Sequence, residues 1–348
     1  MKRLFALLGT SIVVLSAAEY PGTHWAKHSR AGWSEELLKS TRYFAGTKKT
    51  AAMMIVQDGL VVDQWGDVDK KIEVRSIRKS FLSALYGIHV SEGKIDLGKT
   101  MAEIGIDDLS PALTPAEKQA TILDLLRARS GIYHQAAQET PGMRAKRPTR
   151  GSHPPGTFWY YNNWDFNALG TIFEKLTGKN IFEDFAQEIA KPIGMEDYVA
   201  ADGRFAGKDS TVGSNVSGDS IHPNYNFSMT ARDMARFGYL YLRKGKWGDR
   251  QLIPAAWVAR STTSYSDIDS YSGIGAQTGY GFLWWKEDWG YSAIGALGHI
   301  IAVIPSKDLV IVHRVAYDPP REDVVSYRDM DTMIRMVIAA APAGQVVN

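Results

Sequence analysis

The strongest constraint on the fold is the order in which the sequence changes its hydrophobic period. Strand-like text stands at both ends, and helix-like text fills the middle. "AAMMIVQDGLVVDQWGD" (51–67) is two short apolar runs around Asp58-Gly59, a pair that favours a tight hairpin turn. From Ser76 to His89 the spacing becomes helical: Phe81, Leu85 and Ile88 share a face, Leu82 widens it, and Gly93 follows the end. Helical spacing recurs over 115–132, 167–179, 181–195 and 230–246, each ending near Gly or Pro. After residue 250, β-branched and aromatic residues dominate 280–288, 291–305 and 308–317, and 329–342 reads as a closing helix. This order predicts an α/β (α+β) fold. N- and C-terminal strands share one antiparallel sheet flanked by helices, and a mostly helical lobe is inserted between them. The sheet lobe is expected at about 45–90 and 250–348, the helical lobe at about 91–249, and a site in the crevice between the two.

Composition narrows the function. A chain of 348 residues with 45% hydrophobic and 22% charged residues is an ordinary globular protein, long enough for one large core or two intimate lobes. A formal net charge of +2 gives no footprint for nucleic acid. One basic cluster, Arg144, Lys146, Arg147 and Arg150, lies in a Pro-rich loop. It reads either as a solvated face or as an attractor for an anionic substrate at a cleft mouth. There is no cysteine, which excludes disulfides, thiolate nucleophiles and Cys-ligated zinc. "MKRLFALLGTSIVVLSAAEY" has Lys2 and Arg3, an apolar run from Leu4 to Leu15, and then Ser16, Ala17 and Ala18. This is the pattern of a secretory signal over 1–18, with a run short for a membrane span. The mature chain, 19–348, is expected to be periplasmic or secreted, with no membrane span after signal removal. The sequence leaves the oligomeric state open.

"VRSIRKSF" (74–81) places Ser76 three residues before Lys79. Chance alone gives roughly one or two S-x-x-K matches in a chain of this kind, and a second, Ser91–Lys94, exists. Ser91 falls where the helix runs out, with Lys94 beyond Gly93. Ser76 instead opens the apolar helix, so Lys79 lies one turn away on the same face. The helix N-terminus would bring backbone N–H groups and a positive partial charge to a nucleophile there. A serine needs a base, and a lysine is one only when burial or a nearby cation keeps it neutral. On local grounds the pair is either nucleophile and base, or an N-cap serine followed by a surface lysine. No G-x-S-x-G elbow and no H-E-x-x-H occur, and the eight histidines are scattered. His89, inside the apolar helix, reads as core.

"HPPGTFWYYNNWDFNALG" (153–170) leads from a Pro-Gly turn through aromatics into Tyr161-Asn162-Asn163 and a helix. Ser76-x-x-Lys79 opening a helix, followed by this P-G-T…Y-x-N…L-G order, resembles the serine β-lactamase and penicillin-recognising superfamily. The similarity is to its class C-like branch, which includes DD-peptidases, carboxylesterases and nylon-oligomer hydrolases. "ILDLLRARSGI", "IAKPIGMED" and "SMTARDMARFGYLYLRKGKWGDRQLIPAAWV" carry the resemblance along about 50–317. It implies Ser76 as nucleophile, Lys79 and Tyr161 as base and acid, and Asn163 positioning both substrate and lysine.

The family's third motif, Lys/His-Thr/Ser-Gly on a strand lining the cleft, aligns best with Ala293-Ile294-Gly295 before Ala296, and departs from the pattern. Gln277-Thr278-Gly279 is a rival register. In the first register Gly295 still permits close approach to the substrate, and the Ala296 N–H is expected to pair with that of Ser76 as an oxyanion hole. The side chains that grip a β-lactam carboxylate are absent. The expected function is therefore a serine hydrolase of a small ester or linear amide, acting through an acyl-enzyme, with no metal or cofactor. Gly295, Trp164 and His299 are expected to bind substrate, and Trp159, Trp284 and Trp285 are further candidates for an aromatic wall, with core packing as the alternative for each. The alternatives are a class C-like β-lactamase or DD-peptidase, or a penicillin-recognising fold used only for binding.

Overall fold

The computed structural model describes residues 20–109, 111–206, 220–268, 277–318, 321–322 and 324–343; the signal-like segment 1–18 lies outside them. Helix α1 (Glu35–Gly46) is capped by Ser34, whose side chain accepts from the Leu37 N–H. It leads into the hairpin β1 (Thr50–Gln57) and β2 (Leu60–Gly66). Asp58 (φ 52°) and Gly59 (φ 80°) make its turn, the positive φ values that an Asp-Gly pair tolerates. A 3₁₀ turn, Arg75–Ile77, then runs into α2 (Arg78–Ser91).

The middle holds α3 (Ile122–Leu126), α4 (Pro141–Lys146), α5 (Asn163–Thr177), α6 (Ile181–Phe185), α7 (Ala231–Leu242) and α8 (Ala255–Ser261). Strands return as β3 (Gln277–Tyr280), β4 (Trp285–Glu287), β5 (Tyr291–Gly295), β6 (His299–Ile304) and β7 (Leu309–Val315), and α9 (Tyr327–Ala340) follows.

The strands form one antiparallel sheet in the order β2-β1-β7-β6-β5-β4-β3. The two ends of the chain meet at β1–β7, where Met53 faces His313 and Ile55 faces Ile311. Both faces of the sheet are covered, which is why its central strands read as continuous apolar runs rather than alternating ones. Met54, Val56, Val310 and Val312 point into the core shared with α2 and α7, whereas Met53, Ile55, Leu309 and Ile311 point toward α1 and α9. The antiparallel sheet flanked by helices is the architecture the sequence order implied.

Local details differ. Segment 291–305 is two strands, because Ala296–Gly298 turns the chain back with Leu297 at φ 75°. In 280–288 the strand residues are Tyr280, which ends the edge strand Gln277–Tyr280, and Trp285–Glu287. Segment 115–132 is broken at Ala120, whose carbonyl is taken by the Met101 N–H at 2.9 Å. A new helix then begins at Thr121, where Thr121 and Asp124 form a capping box. In 181–195, α6 passes into a π turn at Ala186–Ala190.

Candidate active site

The segment Val74–Ser76 is fixed before the helix begins. Arg314, fully buried on β7, donates to the carbonyls of Ile72 (2.7 Å), Glu73 (3.3 Å) and Met229 (2.8 Å). The Val74 N–H donates to Phe227 O at 2.9 Å. Arg75 then takes φ 55°, a left-handed conformation that costs a non-glycine residue about 1 kcal/mol or more. That kink presents Ser76, half-buried, at the start of the helix.

Lys79 follows one turn later and is 2% exposed. Its Nζ donates to Ser76 Oγ at 2.7 Å and to the Tyr161 hydroxyl at 2.8 Å. The amine lies over the rings of Tyr161 and Phe166, 4.6 and 4.7 Å from their centroids. Burial pushes this amine well below the ordinary lysine range, and the charge of Arg78 pushes it further the same way. A shift in this direction, beside a serine hydroxyl, is the one a lysine base requires. The alternative of a surface lysine behind an N-cap serine is overturned by this burial. The rival pair is also disposed of: Ser91 Oγ donates to Ile88 O at 2.7 Å, and Lys94 pairs with Glu92 at 2.8 Å.

Tyr161 arrives from the loop before α5. Asn162 caps that helix by accepting from the Trp164 N–H at 3.2 Å, and its own amide donates to Ile132 O at 2.7 Å. These bonds hold the chain direction at Tyr161. Trp285 stacks on the Tyr161 ring (5.4 Å, 21°), and Tyr280 meets it edge-on at 6.1 Å.

The far wall is the end of β5. A Cβ on Gly295 would stand 2.5 Å from Val74 O and 3.1 Å from Arg75 Cβ, so only glycine lets this strand lie against the backbone that leads to Ser76. Ala296 follows, exposed. Ala293 packs toward α2 and α7 and Ile294 toward α1 and α9, so neither offers a polar group for a carboxylate. The rival Gln277-Thr278-Gly279 lies on the edge strand, with β4 between it and β5.

Three expectations need correction. Trp164 is fully buried, and its Nε1 donates to Asp108 at 2.6 Å. It is a core residue of the helical part and meets no substrate. His299 is also fully buried, at the start of β6, with Nδ1 accepting from Arg314 Nε at 3.1 Å. It belongs to the network that holds the Ile72–Glu73 backbone rather than to an open cleft. Asn163 donates to Gln138 O at 3.3 Å and to Met143 Sδ at 3.6 Å, and its Oδ1 has no hydrogen-bond partner. It therefore makes no bond to Lys79 here.

Of the other tryptophans, Trp284 is core against Tyr241, and Trp285 is half-buried beside Tyr161. His89 is core, held between Glu92 and Asp184 at 2.7 Å each. Arg147 and Arg150 pair with the buried Glu139 and Glu117 (2.9 and 2.7 Å), which spends half of the basic cluster internally. Sequence reasoning missed Phe166, Tyr280 and Arg78. Arg78 had a visible signal, a second cation beside Lys79 in an otherwise apolar helix. Among the described residues, no group of His, Asp or Glu is arranged to hold a metal ion, and no helix is long and apolar enough to cross a membrane.

Comparison with known proteins places the chain in a family. The family model described as Beta-lactamase matches residues 41–330. The chain is 22% identical over 279 residues to 6-aminohexanoate-dimer hydrolase of Paenarthrobacter ureafaciens, covering 72% of this chain and 68% of that protein. It is 25% identical over 278 residues to the unguisins hydrolase ungD' of Aspergillus campestris, covering 68% of this chain but only 51% of that longer protein. Among solved structures, the octameric penicillin-binding protein homologue of Pyrococcus abyssi superposes with a TM-score of 0.62 at 18% identity, covering 88% of this chain and 78% of that one. Fold and sequence together lead to one conclusion: the chain belongs to the Beta-lactamase family and has hydrolases among its relatives.

Proposed function

We propose that the chain is a serine hydrolase that opens an ester or linear amide through an acyl-enzyme on Ser76. The observation that carries this reading is the buried Lys79 amine, 2.7 Å from Ser76 Oγ and 2.8 Å from the Tyr161 hydroxyl. As Ser76 Oγ bonds to the substrate carbonyl carbon, its proton passes to the neutral Lys79 amine. The carbonyl oxygen becomes an oxyanion facing the backbone N–H groups of Ser76 and Ala296. Tyr161 protonates the leaving oxygen or nitrogen and recovers its proton from the Lys79 ammonium. The carbonyl–leaving-group bond breaks, and an ester on Ser76 remains. Water then gives a proton to the same Lys79–Tyr161 pair, adds to the ester carbonyl and expels Ser76 Oγ, which is reprotonated. The chemistry is complete without a metal or cofactor.

The substrate reading rests on what lines the wall. Ala293 and Ile294 give no grip on a β-lactam carboxylate, while Trp285 and Tyr161 offer a flat apolar surface. The name of the Paenarthrobacter relative, a hydrolase of an aminohexanoate dimer, supports a small amide. The charged, apolar and small-residue order of 1–18 supports export to the periplasm or beyond.

The test is intact-protein mass after incubation with p-nitrophenyl butyrate, ampicillin and a fluorophosphonate, for wild type and Ser76→Ala. The reading requires ester turnover, fluorophosphonate labelling lost in Ser76→Ala, and ampicillin left intact. Rapid ampicillin turnover favours a β-lactamase instead. A folded wild type that neither turns over nor labels favours a binding role.

A further inference from the structure

Arg78 is an unusual residue to find beside Lys79. It is 3% exposed, and among the described residues no carboxylate lies within ion-pairing distance of it. Its Nη2 donates to Asn167 Oδ1 at 3.2 Å, its guanidinium lies 4.2 Å from the centroid of the Tyr225 ring, and Nη1 is buried with no hydrogen-bond partner. Asn167 is itself oriented, since its Nδ2 donates to Ala137 O at 3.1 Å and so turns Oδ1 toward Arg78. Burying a guanidinium without a counter-charge destabilises a fold, and either a carboxylate at 167 or an apolar residue at 78 would relieve it. The arrangement instead keeps a full, unneutralised positive charge in a dry region next to the lysine.

We propose that Arg78 is an electrostatic positioning residue of this site: its buried, carboxylate-free guanidinium keeps the Lys79 amine in the uncharged form that accepts the Ser76 proton. The inference rests on Lys79 being the base, as proposed above. The groups facing Lys79 agree with it. Ser76 comes from the 3₁₀ turn, Tyr161 from the loop before α5, and Phe166 from α5, so the cation acting on the amine is Arg78. Around Arg78 stand Asn167 and Tyr225; burial pushes the Tyr225 hydroxyl up to about 12, while the Arg78 cation beside it pulls it the other way.

The experiment is the pH profile of kcat/KM for p-nitrophenyl butyrate in wild type, Arg78→Met, Arg78→Lys and Asn167→Asp. Arg78→Met removes the charge at similar volume. Asn167→Asp leaves Arg78 in place and neutralises it with an isosteric carboxylate, so the test survives if Arg78→Met fails to fold. Both are expected to move the acidic limb upward by about one pH unit, a tenfold loss of kcat/KM on that limb, with the alkaline plateau retained. Arg78→Lys is expected to keep the limb near its wild-type position. The ¹³Cε chemical shift of Lys79 in ¹³C-lysine-labelled protein should titrate with the same displacement. An unmoved limb and an unmoved Lys79 titration in Asn167→Asp overturn the proposal. A loss of rate equal at every pH in Arg78→Met, with an unshifted limb, also overturns it, because that is the signature of a packing role. Fluorophosphonate labelling that persists in Ser76→Ala or in Lys79→Met removes the mechanism on which the inference rests, and is read separately from the position of the limb.

Discussion

Gly295→Ala isolates the contact between β5 and the turn that carries Ser76. Gly295 has φ −110°, so alanine meets no backbone strain, and the effect is steric. The new Cβ would stand 2.5 Å from Val74 O, where ordinary contact begins at 3.4 Å, so the two backbones must separate by about 0.9 Å. Val74 cannot give way easily, because its N–H is bonded to Phe227 O at 2.9 Å and the carbonyls of Ile72 and Glu73 are held by Arg314. The strand is the part that yields, and it takes the Ala296 N–H with it. Moving a preset donor by nearly 1 Å costs about 100-fold in rate, and overpacking costs about 1–3 kcal/mol in stability. The assay is kcat and KM on p-nitrophenyl butyrate together with thermal unfolding. A fall in kcat of about 100-fold, with a smaller change in KM and a lower Tm, is expected. Wild-type kcat with a lowered Tm would refute the link between this contact and the oxyanion position. Wild-type values for both would show that the strand has slack where the geometry leaves none.

Glu287 is buried, with Oε1 accepting from Ser292 Oγ at 2.5 Å and Oε2 unpartnered, and burial pushes its pKa up from 4.5 to about 8. Across that window the folded chain keeps a proton that the unfolded chain has released, so stability falls as pH rises. Urea unfolding at pH 5, 7 and 9 should show Glu287→Gln losing that slope, with a gain over wild type on the order of 3–5 kcal/mol at pH 9; an unchanged slope rejects the assignment. Arg314→Met strands three buried carbonyls and should lower stability by roughly 3 kcal/mol or more, and kcat with it, as read by Tm and ester turnover. Arg150→Ala leaves the buried Glu117 carboxylate without its counter-charge, held by the Thr114 N–H, so about 2 kcal/mol of stability should go while KM for an anionic ester stays constant. A rise in that KM would instead return Arg150 to a substrate-attracting role.

How much was legible depended on how local the cause was. The hairpin at Asp58-Gly59 was legible because an Asp-Gly pair sets its own backbone angles. The strands β1 and β7 were legible because both faces of each are buried, which favours the apolar runs 51–56 and 309–312. The break at Ala120 was not, because the competing hydrogen bond comes from Met101, although the Thr121/Asp124 capping box was a readable sign. The turn at Ala296–Gly298 was hidden in an apolar stretch because its positive φ falls on Leu297, a residue that does not advertise it. Trp164 and His299 were misplaced for a related reason. An aromatic or imidazole near a motif looks the same in a sequence whether it faces a cleft or, as here, Asp108 and Arg314.

The sequence alone determined that strands from both ends of the chain share one sheet, the helix that follows Ser76, and the spacing that makes Ser76 and Lys79 neighbours. Each of these follows from period and turn chemistry within a few residues. Only the tertiary structure decided whether Lys79 is a solvated cation or a buried amine. That depends on Tyr161 and Phe166, 82 and more residues away, closing over it. Protonation is set by the dielectric and the charges around a group, and those are properties of packing rather than of spacing.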